Sequence, residues 1–377
     1  MRKMLLAVFL ALWSFPTWAQ SPDIQSPSVQ YQPVIKTGAT RLSIAAVGDL
    51  LLHSPLHRQA LNHELGHRSL WPEVEPWLLS ADIAYANLEG PTAEGVAPGG
   101  RSVKDPGLVF DKYVYNSYPM FNYHAFLLQD LLDSGIDVVS TANNHALDRG
   151  ALGVDRTIDA LKKANLPFTG TRKSDTFLTV EQTPWQTIVQ EKGWTTAWVA
   201  CSFSTNGIPD RHHQVLQCFE DREVLLRLVS VLSQNSAVDA VIVTPHWGVE
   251  YVDRPDQSIQ KLARDLIDQG ALLVIGAHPH VPQPWEKYTA KDGREGLIVY
   301  SLGNFVSNQF GKLKTQTSIL AQINLVKNPR EKAQIQQTSI LPLMMTRKNN
   351  QYQVVPILDP KDYPAAHQHL LKMFGSP

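Results

Sequence analysis

Short apolar segments alternate with amphipathic segments over most of the chain, and this alternation restricts its fold more than any other feature. Each apolar segment is rich in β-branched or aliphatic residues and predicts a buried strand. These segments are residues 41–49, 82–90, 136–145, 195–203, 238–248 and 271–280. Strands that alternate with helices indicate an α/β fold whose central strands are buried on both faces.

The amphipathic segments carry apolar residues at helical spacing, which predicts helices packed against the strands. In residues 121–135 the apolar face comprises Phe121, Ala125, Leu128 and Leu132. In residues 153–165 it comprises Val154, Ile158 and Leu161.

The C-terminal part of the chain has a different pattern, in which strand-like segments follow one another without a helical segment. They are residues 296–305, 317–326, 333–345 and 351–358. We interpret them as mostly antiparallel strands that complete the same domain. With 43% hydrophobic and 18% charged residues, the chain can fill one large core. We predict one domain over residues 41–360 and a C-terminal tail over 361–377 with a short helix.

The N-terminus has the layout of a secretory signal peptide, with a positive start, an apolar run and a small residue at the cleavage position. An uncleaved anchor, the alternative, needs about 20 apolar residues, whereas Ser14, Pro16 and Thr17 interrupt this run early. We predict a signal peptide over residues 1–19 and a linker rich in Pro, Ser and Gln over 20–40. The mature chain is then exported to the periplasm, the cell envelope or the extracellular space.

Net charge and cysteine content limit which partners and which covalent chemistry the chain can have. The net charge of −1 does not indicate a nucleic-acid partner, because such proteins usually have a basic excess. Cys201 and Cys218 could form a disulfide in an oxidising compartment, worth on the order of 3 kcal/mol. Their spacing is equally compatible with two separate buried thiols.

Side chains of the types that bind metals follow five of the predicted strands, where each strand ends. They are Asp49; Glu89; Asn143, Asn144 and His145; His246 and Glu250; and His278 and His280. In α/β sheets ligands bind beyond the carboxyl ends of the strands, so these five ends can meet at one site. Taken singly, each residue fits an ordinary turn or a hydrogen-bonded histidine equally well. Their joint occurrence favours a metal site.

His278 and His280 suggest how such a site would be divided. On an extended segment, residues i and i+2 point to the same side, about 6 to 7 Å apart. Two metal ions about 3.5 to 4 Å apart could each take one of these imidazoles. Glu89 has two oxygens and could bridge the ions, while Asn144 and His246 complete the coordination.

Six motifs in this order resemble those of CapA-type capsule and poly-γ-glutamate biosynthesis proteins, within the calcineurin-like metallophosphoesterase superfamily. They are VGDLLLH, NLEGP, TANNHALDRG, HWGVEY, GAHPHVPQP and YSLGNFVSNQ, which span roughly residues 41–310. The resemblance implies a four-layer α/β/β/α sandwich with a metal site at the strand ends. It also implies one or two divalent ions (Mn, Zn or Fe), an envelope polymer or peptide as substrate, and association with a membrane polymer synthase.

The resemblance also implies a role for each ligand. Asp49 and His280 would bind the first ion, and Glu89 would bridge. Asn144, His246 and His278 would bind the second ion. His145 would be the general acid or a donor to the substrate oxyanion.

The first motif departs from the superfamily pattern Asp-x-His, because Leu51 occupies the histidine position. His53 lies two residues later and is the remaining histidine that could reach the ion. Glu89 replaces the usual bridging aspartate and is one methylene longer. Because of these departures, a site that holds a single metal ion remains an alternative. Its ligands would be Glu89, Asn144, His246 and His278.

Several further residues near the motifs are predicted substrate contacts, each with an equally good structural reading. They are Asn143, Arg149, Glu250, Tyr251, Gln283 and Asn304. Arg149 would act as an anion clamp, because its guanidinium can bind a carboxylate or phosphate with two hydrogen bonds.

Three functions remain open on the sequence. The first is metal-dependent hydrolysis of a phosphoester. The second is metal-dependent hydrolysis, transfer or epimerisation on a glutamyl polymer or peptide. The third is non-catalytic binding of an acidic polymer beside its synthase.

Overall fold

The computed structural model describes residues 27–375. The strands are β1 Ser28–Gln30, β2 Thr40–Leu50, β3 Ile83–Leu88, β4 Val96–Ala97, β5 Arg101–Ser102, β6 Val138–Ser140, β7 Phe168–Thr169, β8 Thr187–Glu191, β9 Trp194–Ser202, β10 Ala240–His246, β11 Leu273–Ile275, β12 Pro282–Thr289, β13 Glu295–Leu302, β14 Asn304–Val306, β15 Thr317–Lys327, β16 Gln334–Lys348 and β17 Gln351–Pro356. The α-helices are α1 Ser54–Leu61, α2 Glu75–Ser80, α3 Phe126–Asp133, α4 Gly150–Ala164, α5 Arg222–Gln234, α6 Gln257–Asp268, α7 Leu313–Gln316 and α8 Pro364–Phe374, and a 3₁₀-helix spans Gly66–Leu70.

Two large sheets carry the fold. The first has the order β1-β16-β15-β2-β3-β6-β7, with β14 beside β2 and β17 beside β16. Its strands β2, β3, β6 and β7 are parallel, whereas β1, β15, β16 and β17 pair antiparallel. The second sheet has the order β12-β13-β11-β10-β9-β8, and only its edge strands β12 and β8 pair antiparallel. The carboxyl ends of the parallel strands in each sheet therefore lie at one edge.

The sheets face each other, and helices cover their outer faces. Successive residues of a strand point to opposite faces, so Ile44 of β2 packs between the sheets with Ile242 of β10, while Ala45 packs outward. Helices α1 to α4 contribute to the outer core of the first sheet, and α5 and α6 to that of the second. This is the predicted four-layer α/β/β/α sandwich, and the predicted antiparallel C-terminal strands are present.

The helix predicted over residues 121–135 is shorter than its apolar spacing indicates. α3 begins at Phe126 and buries Leu127, Leu128 and Leu131, so Phe121 and Ala125 precede it. α4 buries Val154, Ile158 and Leu161 as predicted. A four-residue helix, α7, interrupts the C-terminal strands.

Both ends of the described chain join the sandwich core. β1 lies in the predicted linker, pairs with β16 and buries Val29. α8 lies in the predicted tail and packs Leu370 and Phe374 among the residues between the sheets. The predicted signal peptide lies outside the described residues. Within residues 27–375, no helix is long and apolar enough to cross a membrane.

Candidate metal centre

Five strand ends bring the predicted ligands together. Asp49 lies near the end of β2, and Glu89 follows β3. Asn144 lies in the loop after β6, His246 ends β10, and His278 and His280 follow β11. At most 3% of each residue's surface is exposed. The site thus joins both sheets at the carboxyl ends of their parallel strands, as expected for this class of fold.

Within residues 27–375, two groups of three side chains have ligand atoms within 4.8 Å of one another. One consists of Glu89, His246 and His278, and the other of Asp49, Glu89 and His280. Asn144 adjoins the first group, because its Oδ1 lies 2.9 Å from His246 Nε2. Glu89 belongs to both groups, which is the position of a bridging ligand. The carboxylates and histidines of the two groups are those that the resemblance assigns to the two ions and to the bridge between them.

The chemistry of Glu89 fits a bound cation. Its carboxylate is fully buried, and neither oxygen has a hydrogen-bond partner among the described residues. Burial, reinforced by the nearby Asp49, raises the pKa of Glu89 well above its usual value. A buried carboxylate without partners is costly unless a positive charge compensates it. Divalent ions held by the two groups would supply that charge.

The histidines fall into two electrostatic types. Burial lowers the pKa values of His246 and His278 well below the usual value, so both are neutral, the form in which imidazole binds metals. For His280, burial alone would lower the pKa, but the carboxylates of Glu89 and Asp49 raise it to about 9. Its Nδ1 lies 3.0 Å from Asn304 Oδ1. Without metal, His280 is therefore a cation that partly balances the two carboxylates.

The expectation that His278 and His280 lie on an extended segment is wrong. Their φ angles are +98° and +57°, in the left-handed region that side chains seldom adopt. Their ring centres nevertheless lie 5.9 Å apart, and each ring points into a different ligand group. The backbone strain of this turn is of the kind that concentrates at functional sites.

Gly48 fixes the position of Asp49. A Cβ at Gly48 would lie 1.8 Å from the carbonyl oxygen of Gly303, so no larger residue fits without moving the strands. The Asp49 amide donates to the same oxygen at 3.1 Å. The close approach of β2 to the turn before β14 therefore sets the depth of the carboxylate.

His145 lies beside the ligand groups and is 6% exposed. Its Nδ1 lies 2.8 Å from Asp148 Oδ2, which also accepts the Phe121 amide at 2.6 Å. Its neighbour Asn143 donates to the Leu88 carbonyl at 2.8 Å. Asn143 therefore holds the turn that presents His145, whereas it was predicted to contact substrate.

His53 belongs to neither ligand group, and Arg149 is buried away from the site opening. His53 Nδ1 lies 3.1 Å from the Leu51 carbonyl and 3.2 Å from the Asn308 amide, so the backbone occupies this nitrogen. Arg149 is fully buried, and its guanidinium donates to the carbonyls of Asp148, Tyr113 and Val114. Arg149 therefore stabilises the loop that precedes it. The prediction that it clamps an anion is wrong, because no part of the side chain reaches the surface.

The remaining predicted substrate contacts divide between the rim and the interior. Glu250 is exposed, and Tyr251 is 37% exposed with its ring 5.9 Å from that of His280, so both lie at the rim. Gln283 is buried and donates to the Val252 carbonyl at 2.7 Å, which supports the rim loop. Asn304 is buried and orients His280.

Sequence reasoning missed Asn87 and Tyr123. Asn87 Nδ2 donates to Asp49 Oδ1 at 2.8 Å and lies 3.2 Å from His246 Nδ1, so it links the two ligand groups. The Tyr123 hydroxyl donates to the Glu89 carbonyl. Asn87 could have been recognised, because it lies on β3 two residues before Glu89, which directly follows that strand, so the two side chains can point to the same side.

Cys201 and Cys218 form a disulfide with their Cα atoms 5.0 Å apart, which resolves the two alternatives left by their spacing.

Fold and site together define a four-layer α/β/β/α protein with a buried carboxylate–histidine cluster at its strand ends that could hold metal ions. Residues 43–309 match the family described as bacterial capsule synthesis protein PGA_cap. The chain belongs to this family, in agreement with the resemblance of its motifs.

Two relatives and one solved structure illustrate the similarity. The chain is 29% identical to capsule biosynthesis protein CapA of Bacillus anthracis, over 83% of this chain and 69% of that protein. It is 28% identical to PGA biosynthesis protein CapA of Bacillus subtilis, over 85% and 75% respectively. The sulfate thiohydrolase SoxB of Thermus thermophilus has a TM-score of 0.42 at 12% identity, covering 88% of this chain and 60% of that chain. A TM-score this low supports no conclusion about the fold, which is defined here by the order and pairing of the strands.

Proposed function

We propose that this chain is an exported, metal-dependent hydrolase that acts in the synthesis of capsule or poly-γ-glutamate at the cell envelope. Membership of the capsule synthesis family supports the pathway, and both Bacillus relatives are named for capsule or PGA biosynthesis. The observation that carries the metal-dependent part is the buried carboxylate of Glu89, shared by two histidine-containing groups and without a hydrogen-bond partner among the described residues.

The residues would divide the work as follows. Asp49, Glu89 and His280 would hold one divalent ion, and Glu89, Asn144, His246 and His278 the other. Bound ions of this type lower the pKa of water and offset charge that develops on the reacting group. His145 keeps its Nδ1 on Asp148, which leaves Nε2 as the atom that would pass a proton to the leaving oxygen or nitrogen.

A glutamyl amide is a second candidate for the bond that is cleaved. The Asp49 group contains one histidine, His280, because Leu51 is buried at the position of the superfamily histidine and His53 lies outside the group. A weaker first metal position favours departure from phosphoester chemistry. The substrate in this case would be an envelope polymer or peptide, presented beside a membrane synthase.

Metal content and activity test the proposal together. The chain, purified without chelators, is expected to contain one or two equivalents of divalent metal by elemental analysis and to hydrolyse a phosphate ester, poly-γ-glutamate or a cell-wall peptide. Asp49→Ala and His278→Ala should abolish turnover, whereas His212→Ala, at an exposed residue, should not. Full turnover in both site variants would refute metal-dependent catalysis. Binding of poly-γ-glutamate without metal or turnover would favour the non-catalytic function.

Export is tested by cell fractionation. The full chain is expected outside the cytoplasm, and a variant without residues 1–19 inside it. Equal distribution of the two would refute export by this segment.

A further inference from the structure

A loop over residues 203–217, here called the clamp loop, joins the end of β9 to the segment before α5. Its two ends are joined to each other by a disulfide and two backbone hydrogen bonds. The Cys201–Cys218 disulfide closes it, the Ser202 amide donates to the Leu216 carbonyl at 2.9 Å, and the Cys218 amide donates to the Ser202 carbonyl at 2.8 Å. The clamp loop therefore has a defined position relative to β9 and the strands beside it.

The clamp loop touches the candidate ligands at two points. The Phe203 amide donates to the His246 carbonyl at 2.9 Å, and its ring centre lies 4.5 Å from that of His278. Asn206 Oδ1 accepts a hydrogen bond from Asn144 Nδ2 at 3.1 Å. The second contact involves a polar atom of a ligand side chain, so it can control the orientation of that ligand.

The orientation of Asn144 matters because a carboxamide has one end that binds cations and one that cannot. Its Oδ1 faces His246 Nε2, on the side where Glu89 and His278 gather. If the amide rotated by half a turn, it would present its NH₂ group to the ion. Rotation of Asn144 alone would place its oxygen against the Asn206 oxygen and break this hydrogen bond, so the contact favours the orientation in which Nδ2 faces the clamp loop and Oδ1 faces the metal position.

We propose that Asn206 is a positioning residue, which holds the oxygen of Asn144 toward the metal ion from the disulfide-closed clamp loop. This inference rests on the proposed metal-dependent function. Asn206 has φ +52°, a left-handed conformation that asparagine tolerates better than most residues, so the residue type suits both its backbone and its partner. Hydrogen bonds that orient metal ligands typically change metal affinity 10- to 100-fold, which sets the size of effect to be measured.

The test is the affinity of the full chain for Mn²⁺, measured by calorimetric titration of metal-free protein. Asn206→Ala removes the acceptor and is expected to weaken Mn²⁺ binding about 10- to 100-fold. Asn206→Asp keeps an acceptor oxygen for Asn144 Nδ2 and should restore most of the affinity. Asn349→Ala is the matched control, since Asn349 is also exposed with φ +51° but lies on the turn between β16 and β17.

The outcomes separate this inference from the proposed function. In chelator, Asn206→Ala and Asn349→Ala should have the same denaturation midpoint, which shows that folding is not what changes. Wild-type affinity in Asn206→Ala, or failure of Asn206→Asp to restore it, would overturn the positioning role while the metal site stands. A wild-type chain that binds no Mn²⁺ would overturn both.

Discussion

Replacing Glu89 by glutamine should stabilise the metal-free protein, although the residue lies at the centre of the site. The Glu89 and Asp49 oxygens lie within 4.8 Å, which corresponds to a repulsion of about 3 kcal/mol at an effective dielectric constant of 20. Protonated His280, 3.9 Å from Glu89, contributes an attraction of about 4 kcal/mol. These terms nearly cancel, so the cost of burying the charge remains, several kcal/mol per ion. We expect Glu89→Gln to add about 3 kcal/mol to the free energy of unfolding without metal.

The gain should depend on pH in a known direction. Burial raises the Glu89 pKa, so the folded protein holds this proton more tightly than the unfolded chain. The penalty is absent below the unfolded value, about 4.3, and grows as the pH rises above it. Urea denaturation in chelator should therefore show little difference between Glu89→Gln and wild type at pH 4 and a clear difference at pH 7.

Added metal should reverse the order. Wild type gains about 4.1 kcal/mol when free metal exceeds its dissociation constant 1,000-fold, which is more than the expected advantage of Glu89→Gln. The variant has lost the shared carboxylate and should gain little. Glu286→Gln is the matched control, because Glu286 is paired with Arg264 at 2.9 Å and accepts from the Tyr300 hydroxyl at 2.6 Å. It should destabilise the protein by about 1–3 kcal/mol and keep the metal response. A destabilised Glu89→Gln in chelator, or an unchanged response to metal, would refute the reasoning.

Three further predictions follow from other parts of the molecule. Burial raises the pKa of Asp137 to about 6, so its charge destabilises the fold increasingly from about pH 4 to pH 6. Asp137→Asn keeps an acceptor for the Ala84 amide and should stabilise by up to about 2 kcal/mol at pH 8 but not at pH 4, by urea denaturation. The double variant Cys201→Ser, Cys218→Ser should lower the unfolding free energy by about 3 kcal/mol, and equal stability of oxidised and reduced wild type would contradict this. His145→Gln should reduce kcat about 10²- to 10⁴-fold with unchanged Mn²⁺ affinity in calorimetry; an equal loss of metal affinity would instead make it a ligand.

Local apolar spacing predicted an α/β fold in which strands alternate with helices, whereas the four layers were implied by the resemblance to CapA-type proteins. α4 shows this, with its predicted apolar face buried. α3 shows the limit: Phe121 is buried, but it lies outside the helix, since burial alone does not distinguish a helix from a loop. The order of strands within the sheets was not predictable, because it depends on pairing between segments such as β2 and β15, far apart in the chain.

The site was predictable as a set of residue types but not as a set of orientations. Arg149 and His53 carry the right chemistry, yet backbone carbonyls and amides engage them. Asn206 has no motif of its own and reaches Asn144 from 62 residues away in sequence. Local sequence patterns contain no information on such partners.

The sequence by itself determined that polar ligand types follow buried strands, because apolar periodicity and strand ends are local properties. Only the tertiary structure decided that these ends meet, that Glu89 lies between two histidine-containing groups, and that His278 and His280 turn into different groups. The physical reason is that a cation site needs several oxygen and nitrogen atoms within a few ångströms. That proximity arises when the two sheets pack, and the spacing of residues along the chain does not specify it.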